Sequence, residues 1–413
     1  MNQQNVTTRE PDPFSPADGE SKTSVAIAVF AWNEEAGIVD MLEGIFRQNL
    51  FAELARRGQR AQVVCVVNGS SDRTAEVARE LLERVTRQHP HRSGFTATVT
   101  NLVQRGKLNA WNQFVYSISA EEATALFLMD ADIKIVGEGA LWNMLQTLQA
   151  NPEVSISTDR PQKHIHAKQR KNTAEKLSGG MSQLTSSSPV QLCGQLYCIR
   201  ADVARRIYLP KDLAACEDGF LKALVCTDFL THDVQPHRIQ IADEAAHTFE
   251  AYLSPTAVLR NQKRQVIGQT IVHLLVDRYL PTWSDSDRGR MATRLREQDA
   301  NDPVWLKRLI AEHLRRTRFF WRLYPDLLHY RFQCWKQLSW KQRVICFPAT
   351  LASFFVLLCA SFLAWRALRG GSTNYWPKAP RTEPRSPEEP RRSPVLESHL
   401  SPPALEASTF KSN

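Results

Sequence analysis

The stretch ALFLMDAD, residues 125–132, decides the fold. Five apolar residues in a row predict a buried strand, and Asp130 and Asp132 follow directly. Burying two carboxylates without partners is costly, so we expect the strand to end where a cation can reach them. Two acceptor-only groups at a strand's carboxyl end suit a hard divalent cation, which in turn binds the phosphates of a nucleotide diphosphate. A surface turn is the alternative that these residues alone leave open.

Short apolar runs and amphipathic stretches alternate from residue 23 to about residue 253. The runs SVAIAVF (24–30), QVVCVV (62–67) and FTATVT (95–100) are typical of strands, and helix-like segments separate them. The alternation predicts an α/β domain, Rossmann-like, with a mostly parallel sheet whose ligands lie at the carboxyl ends of the strands. Residues 157–190 follow neither period. We interpret them as a long functional loop, with a solvated surface insertion as the alternative.

The distribution of charge along the 413 residues argues against a nucleic-acid-binding protein. The formal net charge is +9, but ten basic and only two acidic residues fall within residues 303–343, next to several tryptophans. A short basic, Trp-rich stretch after a near-neutral domain is typical of proteins that lie against a membrane, whereas a nucleic-acid groove would carry its charge on the folded domain. The eight cysteines form no C-x-x-C pair, which favours a reducing compartment.

The remaining segments predict how the chain is divided. Residues 1–22 are polar and lack the apolar core of a signal peptide, so we expect a disordered leader and a folded domain in the cytosol. Residues 269–343 are predicted to be helical and interfacial, and the uncharged run 344–365 is long enough for a transmembrane helix. A buried core helix and a re-entrant hairpin are alternatives for that run. The Pro-rich residues 366–413 are predicted to be disordered.

Polar residues follow several predicted strands or begin predicted helices, in the segments AWNEE (31–35), NGSSDRT (68–74), RGKLNAWN (105–112), CEDGF (216–220) and VLRNQKRQVIG (258–268). Together with the D-x-D pair, and in this order, they resemble the family 2 glycosyltransferases. These are inverting enzymes of the glycosyltransferase A-type fold. The resemblance covers roughly residues 23–268.

The resemblance assigns the nucleotide end of a donor site to the first two segments. It implies that Ala31 and Trp32 lie along the nucleobase, that Glu34 accepts a hydrogen bond from it, and that Asn68 in the next turn contacts the donor. A local alternative needs no ligand, because Asn33 can cap the helix that follows and the two glutamates suit its dipole.

The diphosphate and cation end falls to residues further along the chain. By resemblance Lys107 reaches the donor nucleotide from a helix start, and Arg264 pairs with the diphosphate. Asp132 is then a metal ligand for Mg²⁺ or Mn²⁺, while Asp130 binds the donor ribose or the same metal. His247 falls where some A-type enzymes place a third metal ligand, although a lone histidine is usually not a ligand.

The acceptor side is implied by the Cys-Glu-Asp segment. Inversion at the anomeric carbon needs a base, and by resemblance Asp218 takes the proton while Glu217 supports it or contacts the acceptor. The alternative is that these two acids serve only to stabilise the start of a helix. Val67 stands where the family has a base-recognising carboxylate, and Gln265 stands where processive members have tryptophan. Both predict a divergent, non-processive member.

These observations predict an enzyme that moves a sugar from a nucleotide-diphosphate sugar to a lipid-linked or glycan acceptor beside a membrane. Its place would be glycan, glycolipid or envelope polysaccharide synthesis, on the cytoplasmic side of a bacterial inner membrane. Two alternatives stay open. One is a nucleotidyltransferase on a related fold, and the other is a non-catalytic membrane protein that binds nucleotide sugars.

Overall fold

The structure is a computed structural model that describes residues 22–164, 192–214, 216–250, 254–324, 327 and 340–373. Most of the predicted leader, most of the predicted long loop and most of the predicted Pro-rich tail lie outside the described residues, and the first residues of that tail, 366–369, are the last turn of a helix.

The described strands form one eight-stranded sheet in the order β3-β2-β1-β4-β7-β6-β8-β5. Strands β3, β2, β1 and β4 are parallel, β7 runs antiparallel to β4 and β6, β8 is parallel to β6, and β5 is antiparallel to β8. The strands are β1 (Lys22–Ala31), β2 (Gln59–Asn68), β3 (Phe95–Leu102), β4 (Ala125–Asp130), β5 (Lys134–Val136), β6 (Ile156–Lys163), β7 (Leu196–Arg200) and β8 (Ile239–Phe249).

Helices connect and flank these strands. They are α1 (Ile38–Phe46), α2 (Leu50–Arg56), α3 (Thr74–Gln88), α4 (Lys107–Gln113), α5 (Ala140–Ala150), α6 (Ala201–Ala204), α7 (Glu217–Cys226), α8 (Pro255–His273), α9 (Asp285–Gly289), α10 (Met291–Asn301), α11 (Trp305–Arg316) and α12 (Trp340–Arg369). Helices α4 and α8 each continue into a short π-helical turn.

The predicted α/β class with a mostly parallel sheet is confirmed. The interpretation of residues 157–190 as a loop is wrong at its start, because residues 157–163 belong to β6 and are built into the sheet. Their sequence, STDRPQK, lacks a strand pattern since β6 is short of apolar residues beyond its first one. Sheet pairing, not local propensity, makes this segment extended.

Strand β4 is apolar from Ala125 to Met129 because both faces of the sheet are covered there. Leu126 and Leu128 belong to the apolar cluster on one face, whereas Phe127 and Met129 belong to the cluster on the other. A strand buried on both faces cannot alternate apolar and polar residues. Strand β4 lies beside β1, where the strand order β3-β2-β1 reverses, and its end at Asp130 is therefore at the kind of switch point where α/β folds bind ligands.

Helix α12 contains the uncharged run 344–365. It continues through Pro348 without a break, so the re-entrant hairpin is wrong for this segment. Within the described part of the chain, the stretch Thr350–Arg369 is the one helix that is long and apolar enough to cross a membrane. The predicted domain boundary at residue 268 falls inside α8, and the division of the chain into domains stays a prediction.

The side chain of Arg200 links the C-terminal end of α5 to the end of β7 by hydrogen bonds. Arg200, the last residue of β7, donates from Nε to the Val154 carbonyl at 2.7 Å and from Nη2 to the carbonyls of Leu148 at 2.5 Å and Asn151 at 3.0 Å. Two of these acceptors are carbonyls at or just beyond the C-terminus of α5 that no intrahelical N–H can reach.

We expect Arg200→Met to lower the free energy of unfolding by ~2 kcal/mol, because it leaves these carbonyls without their charged donor. Chemical denaturation measures the change. Arg79→Met, at an exposed position of α3, is the control and should unfold like the parent protein. Equal stability of both variants would contradict this role of Arg200.

Candidate functional site

Lys107 lies at the centre of the candidate site. Its Nζ is 2.7 Å from Asp130 Oδ1 and 2.9 Å from Glu217 Oε1, and it donates to the Gly194 carbonyl at 3.1 Å. The side chains of the three charged residues are between 5% and 14% exposed, so this is a nearly buried ion-pair network. Three residues predicted from separate segments are therefore in direct contact.

The elements around Lys107 explain why it points there. Lys107 is the first residue of α4, and the preceding Gly106 N–H donates to Asn68 Oδ1 at 2.8 Å. The end of β2 thus fixes the start of α4. Asn68, predicted to bind the donor, has an observed contact that orders this turn, and its contact with a donor stays a prediction.

Gly194 permits the approach of Glu217. A Cβ at position 194 would lie 3.1 Å from Glu217 Oε1, which is tighter than most Cβ contacts, and in van der Waals contact with Asp218 Cβ at 3.4 Å. The turn before β7 therefore brings its backbone carbonyl to Lys107 and leaves room for both acids. Nothing in the sequence pattern singled out Gly194, since its role depends on the distant helix α7.

Burial and mutual repulsion shift the pKa values of the acids. Burial, opposed by Lys107 and reinforced by Asp132 and Glu217, raises the pKa of Asp130 to about 7. Burial and Glu217 raise the pKa of Asp218 to about 6, although the Gly219 N–H, Lys107 and Arg264 act in the opposite direction. Burial alone would lower the pKa of Lys107, but Asp130 and Glu217 raise it above its usual value, so this side chain stays an ammonium ion.

The carboxylates of Asp130 and Asp132 are suitable ligands for a divalent cation. Asp130 and Asp132 are acceptor-only groups at one strand end, and Asp132 is exposed, which leaves it open to a ligand. Within the described residues, no three or more His, Cys, Asp or Glu side chains form a cage for a metal. Two carboxylates with phosphate and water completing the shell are the usual set for Mg²⁺, so the residues present suit a cation that arrives with a diphosphate.

Hydrogen bonds join the two turns that are predicted to bind the nucleotide. Ser71 N–H donates to Asn33 Oδ1 at 2.8 Å, and Glu34 N–H donates to Thr74 Oγ1 at 2.8 Å. The predicted alternative in which Asn33 caps α1 is wrong, because Gly37 precedes that helix and Asn33 bonds to the other turn. Glu34 is only 5% exposed, which is a costly place for a carboxylate that serves only a helix dipole.

Trp32 has a partner that the sequence did not indicate. The Arg105 guanidinium lies 3.8 Å from the centroid of the Trp32 ring. Ala31, the last residue of β1, pairs with Val67 of β2. Arg105 is two residues before Lys107, in a loop whose path cannot be read from periodicity.

Helices α7 and α8 meet at an unusually close contact. A Cβ at Gly268 would lie 2.3 Å from Cys216 Sγ and 2.6 Å from Cys216 Cβ, and the Cys216 thiol donates to the Gln265 carbonyl at 3.8 Å. One turn earlier on α8, Arg264 is near enough to lower the pKa of Asp218. The contact therefore aligns the helix of Arg264 with the start of α7.

His247 is buried beside the site and already oriented. Its Nδ1 lies 2.7 Å from Asp159 Oδ2 and its Nε2 lies 3.4 Å from Gln195 Oε1. The carbonyl of Gln195 accepts the backbone N–H of Asp130. A carboxylate behind an imidazole is the arrangement that orients metal-binding histidines, but whether His247 binds a metal stays a prediction.

Residues 26–198 match the sequence profile of glycosyl transferase family 2. No curated protein matches the chain significantly.

Several solved structures are similar to this chain at low identity. TarS (residues 1–349) of S. aureus is 14% identical, with a TM-score of 0.40, over 84% of this chain and 90% of that one. Glucosyl-3-phosphoglycerate synthase of Mycobacterium tuberculosis, solved with Mn²⁺, UDP-glucose and phosphoglyceric acid, is 13% identical, with a TM-score of 0.32, over 56% and 72%. Mannosyl-3-phosphoglycerate synthase of Rubrobacter xylanophilus is 13% identical, with a TM-score of 0.37, over 60% and 72%.

We expect Gly268→Ala to lower the free energy of unfolding by ~2 kcal/mol, because the new methyl group overlaps Cys216. Adding Cys216→Gly removes both overlapping atoms and should restore part of the loss. Thermal or urea unfolding of the single and double variants measures this. A fully stable Gly268→Ala protein would mean that α7 and α8 do not pack this closely.

Proposed function

We propose that this chain, whose residues 26–198 match the glycosyl transferase family 2 profile, transfers one sugar from a nucleotide-diphosphate sugar to an acceptor hydroxyl, with inversion at the anomeric carbon. The observation that carries the proposal is the Lys107 network. It joins the D-x-D carboxylate Asp130 to Glu217, and Glu217 is next to Asp218. Donor-side and acceptor-side groups are thus within one connected cluster.

Asp218 is proposed as the base. Its carboxylate takes the proton of the acceptor hydroxyl as the oxygen bonds to the anomeric carbon and the nucleotide diphosphate departs from the opposite face. A pKa raised to about 6 makes it a better proton acceptor than an ordinary aspartate, yet leaves it ionised at neutral pH. Glu217 supports it by holding Lys107 in place.

The donor's negative charge is proposed to be met by Lys107 and Arg264. Each can donate to the diphosphate oxygens, and the planar fork of arginine suits a pair of them. A divalent cation bound by Asp130 and Asp132, with His247 as a candidate third ligand, would neutralise charge that develops on the leaving diphosphate. Ala31, Trp32, Glu34 and Asn68 are the groups proposed for the nucleoside.

The acceptor is proposed to be lipid-linked or otherwise beside a membrane, in glycan, glycolipid or envelope polysaccharide synthesis. The basic segment at residues 303–343 and the uncharged run 344–365 support a membrane-adjacent acceptor. The cysteine usage supports a catalytic domain on the cytoplasmic side, and we propose a bacterial inner membrane. Gln265 in place of tryptophan supports a single transfer per encounter rather than processive synthesis.

Transfer from labelled nucleotide sugars to membrane extract tests the activity. EDTA should abolish it, Asp218→Asn should lower kcat by about 1,000-fold through loss of the base, and Asp132→Asn should lower it by about 100-fold. Asp202→Asn, on the exposed side of α6, is the matched control. Undiminished transfer by both site variants would refute the assignment, and nucleotide-sugar binding without any turnover would favour a binding protein.

The pH dependence of kcat/KM provides a second test. Activity should rise with pH through about 6, because only the ionised form of Asp218 can accept a proton. Lys107→Met should move this midpoint to higher pH, since it removes a cation that stabilises the Asp218 carboxylate while Glu217 continues to destabilise it. Saturating Mg²⁺ keeps Asp130 ionised during the measurement. Lys107→Arg is the control, and a midpoint that falls in Lys107→Met would contradict this placement.

A further inference from the structure

Helix α12 packs along the catalytic domain on one face. The buried residues recur at helical spacing, and they are Ser353, Leu357, Ala360, Ser361, Ala364 and Leu368. This stripe faces chiefly α8, and α12 also contacts α11 and the turn at residues 320–322. Small residues in the stripe let the two helices approach closely.

The polar groups of this stripe are satisfied. Ser353 Oγ donates to the Thr350 carbonyl at 2.8 Å, and Ser361 Oγ donates to the Leu357 carbonyl at 2.7 Å. Just after the helix, the buried Thr373 hydroxyl donates to Asp212 Oδ1 at 2.9 Å. The helix is therefore packed along its buried stripe and held to the rest of the domain just past its end.

The side of α12 away from this stripe carries exposed apolar side chains. We define the aromatic face as the residues Phe319, Trp321, Phe347, Leu351, Phe355 and Phe362, which are 40% to 57% exposed. Phe319 stacks on Trp321 with ring centroids 4.7 Å apart, and the half-buried Phe320 joins Trp321 to Phe362. A patch of this kind on a soluble protein marks a binding surface.

Exposed arginines near the aromatic face favour an anionic binding partner. Arg318 and Arg322 flank Phe319 and Trp321 in the chain and are exposed. Further exposed arginines, Arg315, Arg316, Arg366 and Arg369, lie before this segment and at the end of α12. Large aromatic side chains with arginines around them match the boundary between acyl chains and anionic headgroups, where both kinds of group are stabilised.

The packing of α12 argues against a helix that crosses the bilayer. A spanning helix needs hydrocarbon or apolar protein around it for ~30 Å, whereas the buried stripe from Ser353 to Leu368 is packed on α8, which carries Lys263 and Arg264. Ile267 and Ile271 of α8 belong to the same buried apolar cluster as Leu357, Ala364 and Leu368 of α12, so removing α12 would expose part of that cluster. The cost of that exposure favours the docked arrangement.

We infer that α12 lies in the plane of a membrane and binds an anionic lipid surface through the aromatic face while its other side stays docked on α8. The inference narrows the membrane association proposed above, and it does not depend on sugar transfer. Helix α8 then connects the lipid surface to Arg264, at the edge of the candidate site.

Vesicle flotation of the full chain, without donor or acceptor, tests the inference. The protein should float with vesicles of phosphatidylglycerol and phosphatidylcholine and bind pure phosphatidylcholine more weakly. The double variant Phe355→Ser, Phe362→Ser should lower the partition coefficient by about tenfold or more, because it removes two exposed rings that would insert into the lipid. Val234→Ser, which removes an exposed apolar side chain elsewhere, is the control and should float like the parent.

Three results would overturn the inference. They are an absence of flotation, equal flotation of the double variant, and resistance of the bound protein to alkaline carbonate, which releases surface-bound proteins but not spanning helices. Self-association through the aromatic face, seen as an oligomer that the double variant dissolves without any lipid binding, would replace lipid with a second copy of this chain. Circular dichroism of the double variant verifies that it is folded, and transfer activity, assayed separately, decides the proposed function.

Discussion

The ion pairs of Lys107 with Asp130 and Glu217 are the interaction on which the candidate site depends. An ammonium ion and two carboxylates removed from water are each unfavourable alone, and only their mutual contacts make the cluster tolerable. Elements that are distant in the chain position Lys107 and Glu217 for these contacts. The Asn68 amide fixes the start of α4, and the turn at Gly194 leaves space for Glu217.

The positions of the functional groups follow from the sheet. Ala31, Asn68 and Asp130 end three neighbouring parallel strands, so their turns lie along one edge. Glu217 and Asp218, which are proposed for the acceptor side, come from α7, which follows the antiparallel strand β7 in the chain. The site thus joins a regular half of the fold to an irregular one, and the Lys107 ammonium crosses the boundary between them.

The fold was predictable wherever burial left a simple pattern. The apolar run of β4 and its abrupt end at Asp130 gave both the strand and the site's location, because a doubly covered strand has no polar positions. Strand β6 was missed because sheet pairing overrode a polar sequence. The contacts of Lys107 with Glu217, and of Arg105 with Trp32, could not be predicted from spacing, since they depend on how segments far apart in the chain or in irregular loops are folded.

The position of Lys107 has a consequence for the order in which ligands bind. In the absence of ligands Asp130 is already neutralised by an internal cation, so a metal ion alone has to compete with the ammonium group for the same carboxylate. A diphosphate offers Lys107 another anionic partner and offers the metal further oxygens. Under the proposed cation site, metal and nucleotide therefore bind with positive cooperativity, and by thermodynamic reciprocity each strengthens the other's binding by the same factor.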